Sequence, residues 1–352
     1  MWPCSSCQMK GTMPPMLEPP KLTEAAITEA LRAHYGLAVT VLAFLPIGND
    51  SASFVYRVEA DGAVCFLKVR AGAGFSAPSL AVPHYLHARG VPHIIAPLAT
   101  RSGALWAPVG DFALSLYPFI DGRAGADVGL ADEHWRELGA TLKQIHTSPL
   151  TPDLARTVPR ETFTPSRRNL IAPLEAAVAR HDLAGPAERE LAAFWRSHQD
   201  LIHTVVGRAD ALAQRLRQTP APLVLCHADL HTWNVLLDEA RRLWIVDWDE
   251  TILALKERDL MFVVGGIGSS QARPHETACF LEGYGATTID PCALTYYRYA
   301  WALQDIAAYG ELVFFLPDLG EETRRKAVRD FTSLFEPGQI VDIALASDSA
   351  AL

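Results

Sequence analysis

Between Leu225 and Asp259 the chain runs LCHADLHTWNVLLDEARRLWIVDWDETILALKERD, apolar runs of three or four residues punctuated by acidic and amide side chains. Runs this short cannot make helices, so the segment reads as brief strands joined by tight turns. Val235 to Leu237 and Leu243 to Val246 flank a turn at Asp238 to Arg241, which predicts a hairpin. Its closure would bring Asn234, just before the first strand, beside Asp247, just after the second. His227, Asp229 and Asn234 form an HxDxxxxN spacing in the loop ahead of it.

A chain of 352 residues with 49% hydrophobic content exceeds the usual size of one core, so two lobes are expected. Thr23 can cap a helix that Gly36 stops. Val39 to Ile47, Ser53 to Glu59 and Val64 to Arg70 then read as strands, the last two joined by a turn at Asp61 and Gly62. A short helix from Pro78 to Leu86 and strands at Ile94 to Ala99 and Ala104 to Leu116 complete a small lobe over residues 21–116. Residues 117–122, YPFIDG, read as a connector. Residues 123–343 make a mainly helical lobe, with a cap at Asp132 and Trp135, Leu138, Leu142 and Ile145 along one stripe. Residues 1–20 and 344–352 are expected to be disordered tails.

The acidic segment fits phosphoryl transfer, which asks a protein mainly to hold metal against phosphates and to place an acceptor hydroxyl in line. Asp229 is the candidate base, because a loop carboxylate can orient the hydroxyl and accept its proton. Asn234 offers an amide oxygen and Asp247 a carboxylate, oxygen donors that suit Mg²⁺. Each alone would more often make only loop hydrogen bonds, but together they match a kinase signature. His227 reads as a brace for the loop backbone and His231 as a loop donor. In the small lobe Lys68 alternates against Leu67 and Val69 and can reach a nucleotide's phosphates. The turn GNDSAS at Gly48 to Ser53 has one glycine, so a phosphate cradle there would rely on backbone amides and the side chains of Asn49, Ser51 and Ser53.

With Lys68, YPFIDG, the GATLKQIH run of Gly139 to His146, HADLHTWN, IVDWDE, ERDL and FLEGYG at Phe280 to Gly285, most of residues 40–310 resembles the aminoglycoside phosphotransferase family. Within it, the run after Asp247 looks most like spectinomycin phosphotransferases. The resemblance implies an α+β, bilobal protein-kinase-like fold with a small antiparallel-sheet lobe and a larger helical lobe. It further implies an enzyme using ATP and Mg²⁺, Asp229 as base, Asn234 and Asp247 on the metal and Lys68 on the phosphates. The backbone near Phe119 and Ile120 would meet adenine, and Asp259 would brace the catalytic loop. One departure stands out: residues 62–110 contain no Asp or Glu, so Lys68 lacks the helix acid that kinase-like folds pair with it. Nucleotide and Asp247, His84, or an acid from elsewhere would have to hold it.

An aminocyclitol carries cationic amines on a saturated ring, which acids and aromatics would hold. Asp249 and Glu250 follow Asp247, and Tyr297, Trp301 and Asp305 fall at i, i+4 and i+8 on a predicted helix. A turn open to solvent and a core stripe are the plainer readings of these two sets. The net charge of −9 fits a cationic small molecule and argues against nucleic acid or an anionic membrane as partner. No run approaches the ~20 apolar residues of a membrane span and no signal peptide is evident, which makes the cytoplasm the expected location. Cys4 and Cys7 form a lone CxxC without a second pair, a weak basis for zinc. A metabolic kinase of the same fold, acting on choline, homoserine, a sugar or a hydroxylated amine, is the nearest alternative reading. A nucleotide-binding pseudokinase is the other.

Overall fold

The computed structural model describes residues 19–47, 53–71, 76–183, 185–219, 221–268, 272–316 and 319–348. Cys4, Cys7, Asn49 and Ser51 therefore lie outside the described residues. Helix α1 (Glu24–Ala30) starts where the Thr23 hydroxyl accepts from the Ala26 amide at 3.2 Å, and it widens into a π turn over Leu31–Tyr35. Gly36, at φ +75°, ends it as expected. Strands β1 (Val39–Leu45), β2 (Ser53–Ala60) and β3 (Ala63–Ala71) follow, and Asp61 and Gly62 both take positive φ in the β2–β3 turn. After helix α2 (Pro78–Ala88) come β4 (Ala107–Val109) and β5 (Phe112–Pro118). The five strands form one antiparallel sheet in the order β1-β2-β3-β5-β4.

The expected strand at Ile94 to Ala99 is not one. Only isolated bridges form there, Ile94 with Ile245 and Leu98 with Leu116. Pro97 supplies no amide proton, which breaks a continuous ladder. The expected strand from Ala104 splits at Gly110 into β4 and β5. β5 also runs to Pro118, two residues into the connector.

Beyond the connector the chain forms β6 (Gly122–Ala124), α3 (Gly125–Val128), α4 (Asp132–Thr147), α5 (Pro152–Thr157), α6 (Ile171–Val178), α7 (Pro186–Ser197) and α8 (Gln199–Gln218). The acidic segment gives β7 (Val224–Cys226), β8 (Val235–Asp238), β9 (Leu243–Ile245) and β10 (Ile252–Ala254), and β8 and β9 pair as the expected hairpin. Helices α9 (Glu257–Leu260), α10 (Pro274–Tyr284), α11 (Pro291–Phe314), α12 (Glu321–Ser333) and α13 (Ile340–Ala346) complete the lobe. Asp132 is the first residue of α4 rather than its cap, and the His134 ring accepts from the Ala131 amide instead. Residues 344–348, expected to be part of a disordered tail, are folded instead. α13 continues to Ala346, and Asp348 pairs with Arg208 at 2.6 Å.

Among the described residues two apolar clusters form the cores. The smaller gathers Ile27, Leu31, Tyr56, Leu67 and Leu116 between α1 and the sheet. The larger centres on α4, α8 and α11, and it also takes Val82, Leu86 and Ile94. α2 therefore lends its apolar face to the large lobe. The His93 carbonyl fixes this docking by accepting from the Ile245 amide at 2.8 Å.

Helices α4 and α10 cross with their backbones in near contact. A methyl group on Gly139 would meet the Phe280 carbonyl oxygen at 2.1 Å, and one on Gly283 would meet the Arg136 carbonyl oxygen at 2.0 Å. The GATLKQIH and FLEGYG runs are thus two halves of one crossing. Gly283→Ala is expected to push the helices apart and cost about 1–3 kcal/mol, read as a lower urea midpoint at unchanged slope. An unshifted midpoint would show that the crossing has slack.

Candidate active site

The loop after β7 is held from below by one carboxylate. Asp259 is fully buried, and its oxygens accept from the amides of His227 (3.0 Å) and Ala228 (2.6 Å) and from His146 Nε2 (2.9 Å). Burial opposes its charge, but His146, His227 and the Ala228 amide together outweigh this and hold the carboxyl below its ordinary range. Ala228 sits at φ +68°, a conformation a residue with a Cβ adopts only under constraint, and its amide is one that Asp259 grips. His146 Nδ1 in turn meets the Tyr284 hydroxyl at 2.7 Å.

His227 braces the loop from above. Its Nε2 lies 2.9 Å from the Val246 carbonyl and its Nδ1 3.3 Å from the Asp229 amide. A carbonyl only accepts and an amide only donates, so a neutral ring protonated on Nε2 satisfies both. That arrangement leaves no nitrogen for proton transfer.

Asp229 and Asn234 are in direct contact. Asn234 Nδ2 donates to the Asp229 carbonyl (2.8 Å) and to its Oδ2 (2.9 Å). Both amide hydrogens are thereby engaged, and the amide oxygen remains as a donor for a cation. The Asp229 Oδ1 is buried and makes no hydrogen bond among the described residues, although His231 Nε2 lies 3.3 Å away. The His231 ring packs on Phe262. Asn234 is tied toward Asp247 because its carbonyl accepts from the Val246 amide at 3.0 Å.

Asp247 follows β9 at φ +63°, which turns its side chain out of the hairpin toward β3. Lys68 Nζ lies 2.9 Å from Asp247 Oδ1 and also pairs with Asp249, whose carboxylate holds Arg70 at 2.9 Å. Asp249 is the acid that residues 62–110 lack. The expectation that it holds a substrate amine is corrected here: two small-lobe cations already claim it. Burial opposes the charge on Lys68, but Asp247 and Asp249 outweigh this and raise its proton affinity. Burial likewise opposes ionisation of Asp247, yet Lys68 holds it well below the usual carboxylate range. Burial and the neighbouring Asp247 push Asp249 up to about 7.

Ser53 starts β2 directly across from Arg70, and its hydroxyl is buried without a partner among the described residues. Phe119 and Ile120 follow β5 at the connector. The Phe119 amide donates to the Val64 carbonyl at 3.3 Å, and its ring lies under the Arg57 guanidinium.

On the other side of Asp229 stand Glu250, Asp305 and Trp301. Burial and then the nearby Asp229 push the Asp305 carboxyl up to about 8, partly offset by Trp301. Glu250 is raised by burial too, with Arg258 opposing and Asp229 reinforcing. Arg258, for which the sequence offered no signal beyond the ERDL run, lies 5.1 Å from the Trp301 ring centre. Tyr297 does not join them. It is 1% exposed, and its hydroxyl accepts from the Leu255 amide at 3.3 Å, so it belongs to the core.

A five-stranded sheet over a helical lobe, with lysine, amide and two carboxylates converging between them, defines a kinase-like phosphotransferase. The profile of the APH phosphotransferase enzyme family matches residues 44–301, and the chain belongs to that family, whose members use an alcohol group as acceptor. It is similar to the crystal structure of the spectinomycin phosphotransferase APH(9)-Ia in complex with ADP and spectinomycin. The identity is 29% and the TM-score 0.84, over 94% of this chain and 99% of that one. The AMP-bound complex of that enzyme gives 29% and 0.80, over 94% and 100%. Choline kinase LicA from Streptococcus pneumoniae shares the fold, at 16% identity and a TM-score of 0.52 over 88% of this chain and 99% of that one.

Proposed function

We propose that the chain transfers the γ-phosphoryl group of ATP to a hydroxyl of an aminocyclitol of the spectinomycin type. The observation that carries this reading is the group of acids around Asp229: Glu250 and Asp305 both feel its charge, and Trp301 hydrogen-bonds to Asp305. Burial raises the proton affinity of both carboxylates, and a cationic amine would supply the counter-charge that favours their ionised forms. The 29% identity to APH(9)-Ia across nearly the whole chain supports the same substrate class. Such an enzyme would work in the cytoplasm, where ATP is.

The donor set fits a hard cation: ionised Asp247 and the free amide oxygen of Asn234 are both oxygen ligands. Mg²⁺ there would neutralise phosphate charge. Lys68 would trade Asp249 for a phosphate oxygen, with Ser53 and the backbone at Phe119 and Ile120 holding the rest of the nucleotide. Asp229 would orient the acceptor hydroxyl and take its proton on Oδ1, while His231 steadies the carboxylate. The test is ADP release by purified protein with spectinomycin, choline, ethanolamine and homoserine in parallel. Turnover is expected with spectinomycin, and turnover with choline alone would reassign the acceptor.

A second expectation follows from Asp305. Its folded value of about 8 exceeds the ordinary 3.8, so the fold holds this proton and loses stability as pH rises toward 8. Binding an amine favours the ionised form. At pH 7, spectinomycin binding should therefore release up to about one proton from this group. Calorimetry in buffers of different ionisation heat should show that release falling in Asp305→Asn. Identical buffer dependence in the two proteins would place the amine elsewhere.

A further inference from the structure

Arg298 of α11 is 8% exposed, yet it has no carboxylate partner among the described residues. One Nη donates to the Val264 carbonyl, while its Nε is buried without an acceptor. Burial lowers its proton affinity with no acid to offset the loss. A buried guanidinium in this state is costly unless something neutralises it.

The same arginine lines a cavity of about 370 Å³ between α11, α13 and the segment after α9. Leu294, Pro291 and Ile343 give it apolar walls. Thr295 and Ser347 also face it, but both hydroxyl hydrogens are spent, on the Ser347 and Ala344 carbonyls respectively. The guanidinium is thus the charged donor of the cavity. Gly265 passes so close that a methyl group there would stand 2.6 Å from Arg298 Nη2, and its φ of +77° is a second reason for glycine.

We propose that this cavity is a binding site for an organic monocarboxylate, its acid group on Arg298 and its apolar body against Leu294 and Ile343. One guanidinium balances one negative charge, and a phosphate dianion would leave a second charge unpaired among apolar walls. The site is distinct from the phosphoryl-transfer cleft. The loop that carries Val264 also carries Phe262, which packs on Trp301 and on the His231 ring.

Benzoate is a direct probe on the full-length protein, with benzamide as its neutral counterpart and inorganic phosphate as the alternative anion. Saturable calorimetric binding and a rise in melting temperature are expected with benzoate only. Arg298→Met should weaken benzoate at least about 30-fold. Ile343→Trp, at a half-buried wall, should abolish binding by filling the cavity while Arg298 stays in place, which covers the case of an unstable arginine variant. Benzamide binding as well as benzoate, unchanged affinity in either variant, arginine-dependent binding of phosphate instead, or no saturable benzoate binding would each overturn the proposal. The measurement needs no turnover, so it stands apart from the acceptor assignment.

Discussion

Asp229→Asn is expected to lower kcat about 10²- to 10⁴-fold, the share of a barrier that a positioned base supplies, while ATP and Mg²⁺ still raise the melting temperature. The amide keeps an oxygen for Asn234 Nδ2 to reach, so the loop should hold its shape. What the variant loses is the oxygen able to take a proton, now the buried Oδ1 without a hydrogen bond. Steady-state ADP release at saturating acceptor measures the effect. Turnover within a few-fold of wild type would remove Asp229 from the role of base.

Asp259→Ala should damage stability and activity together. Its removal strands two backbone amides and the His146 ring in a site closed to water. Orphaning such donors costs about 3–5 kcal/mol, a large part of a typical total. Chemical denaturation should show the drop, and the surviving folded protein should turn over poorly because Ala228 can relax from its left-handed conformation. Asp259→Asn should be milder, since it retains one acceptor oxygen. A stable, fully active Ala variant would mean that the loop is held by His227 alone.

Much of the cleft was legible in the sequence because its spacing is local. HADLHTWN ends where β8 starts and IVDWDE begins where β9 ends, so the hairpin ties Asn234 toward Asp247, while Asn234 reaches Asp229 within the loop ahead of it. Of the two acids that hold Lys68, Asp247 stood among the sequence candidates for that role and Asp249 did not. Both lie about 180 positions away in sequence, and nothing in either strand announces the pairing. Asp249 follows Asp247 by two positions, so it reads equally as a substrate ligand until the sheet is laid over it.

The helical stripe failed for a geometric reason. Two steps of four residues rotate about 80° around an α-helix, enough to carry Tyr297 into the core while Asp305 reaches the cleft. Trp301 lies between them in both sequence and environment. The end of the small lobe was hidden similarly. The sequence from Pro78 to Ile94 looks continuous with the sheet, and only three-dimensional packing shows Val82 and Leu86 joining the other core.

That packing changes what control of this enzyme can consist of. Protein kinases switch by moving a helix whose glutamate completes the pair with the strand lysine. Here α2 carries no acid and is anchored to the large lobe, while the lysine's partners, Asp247 and Asp249, come from the segment that follows β9. The lever that a moving helix glutamate provides in protein kinases is therefore not built into α2.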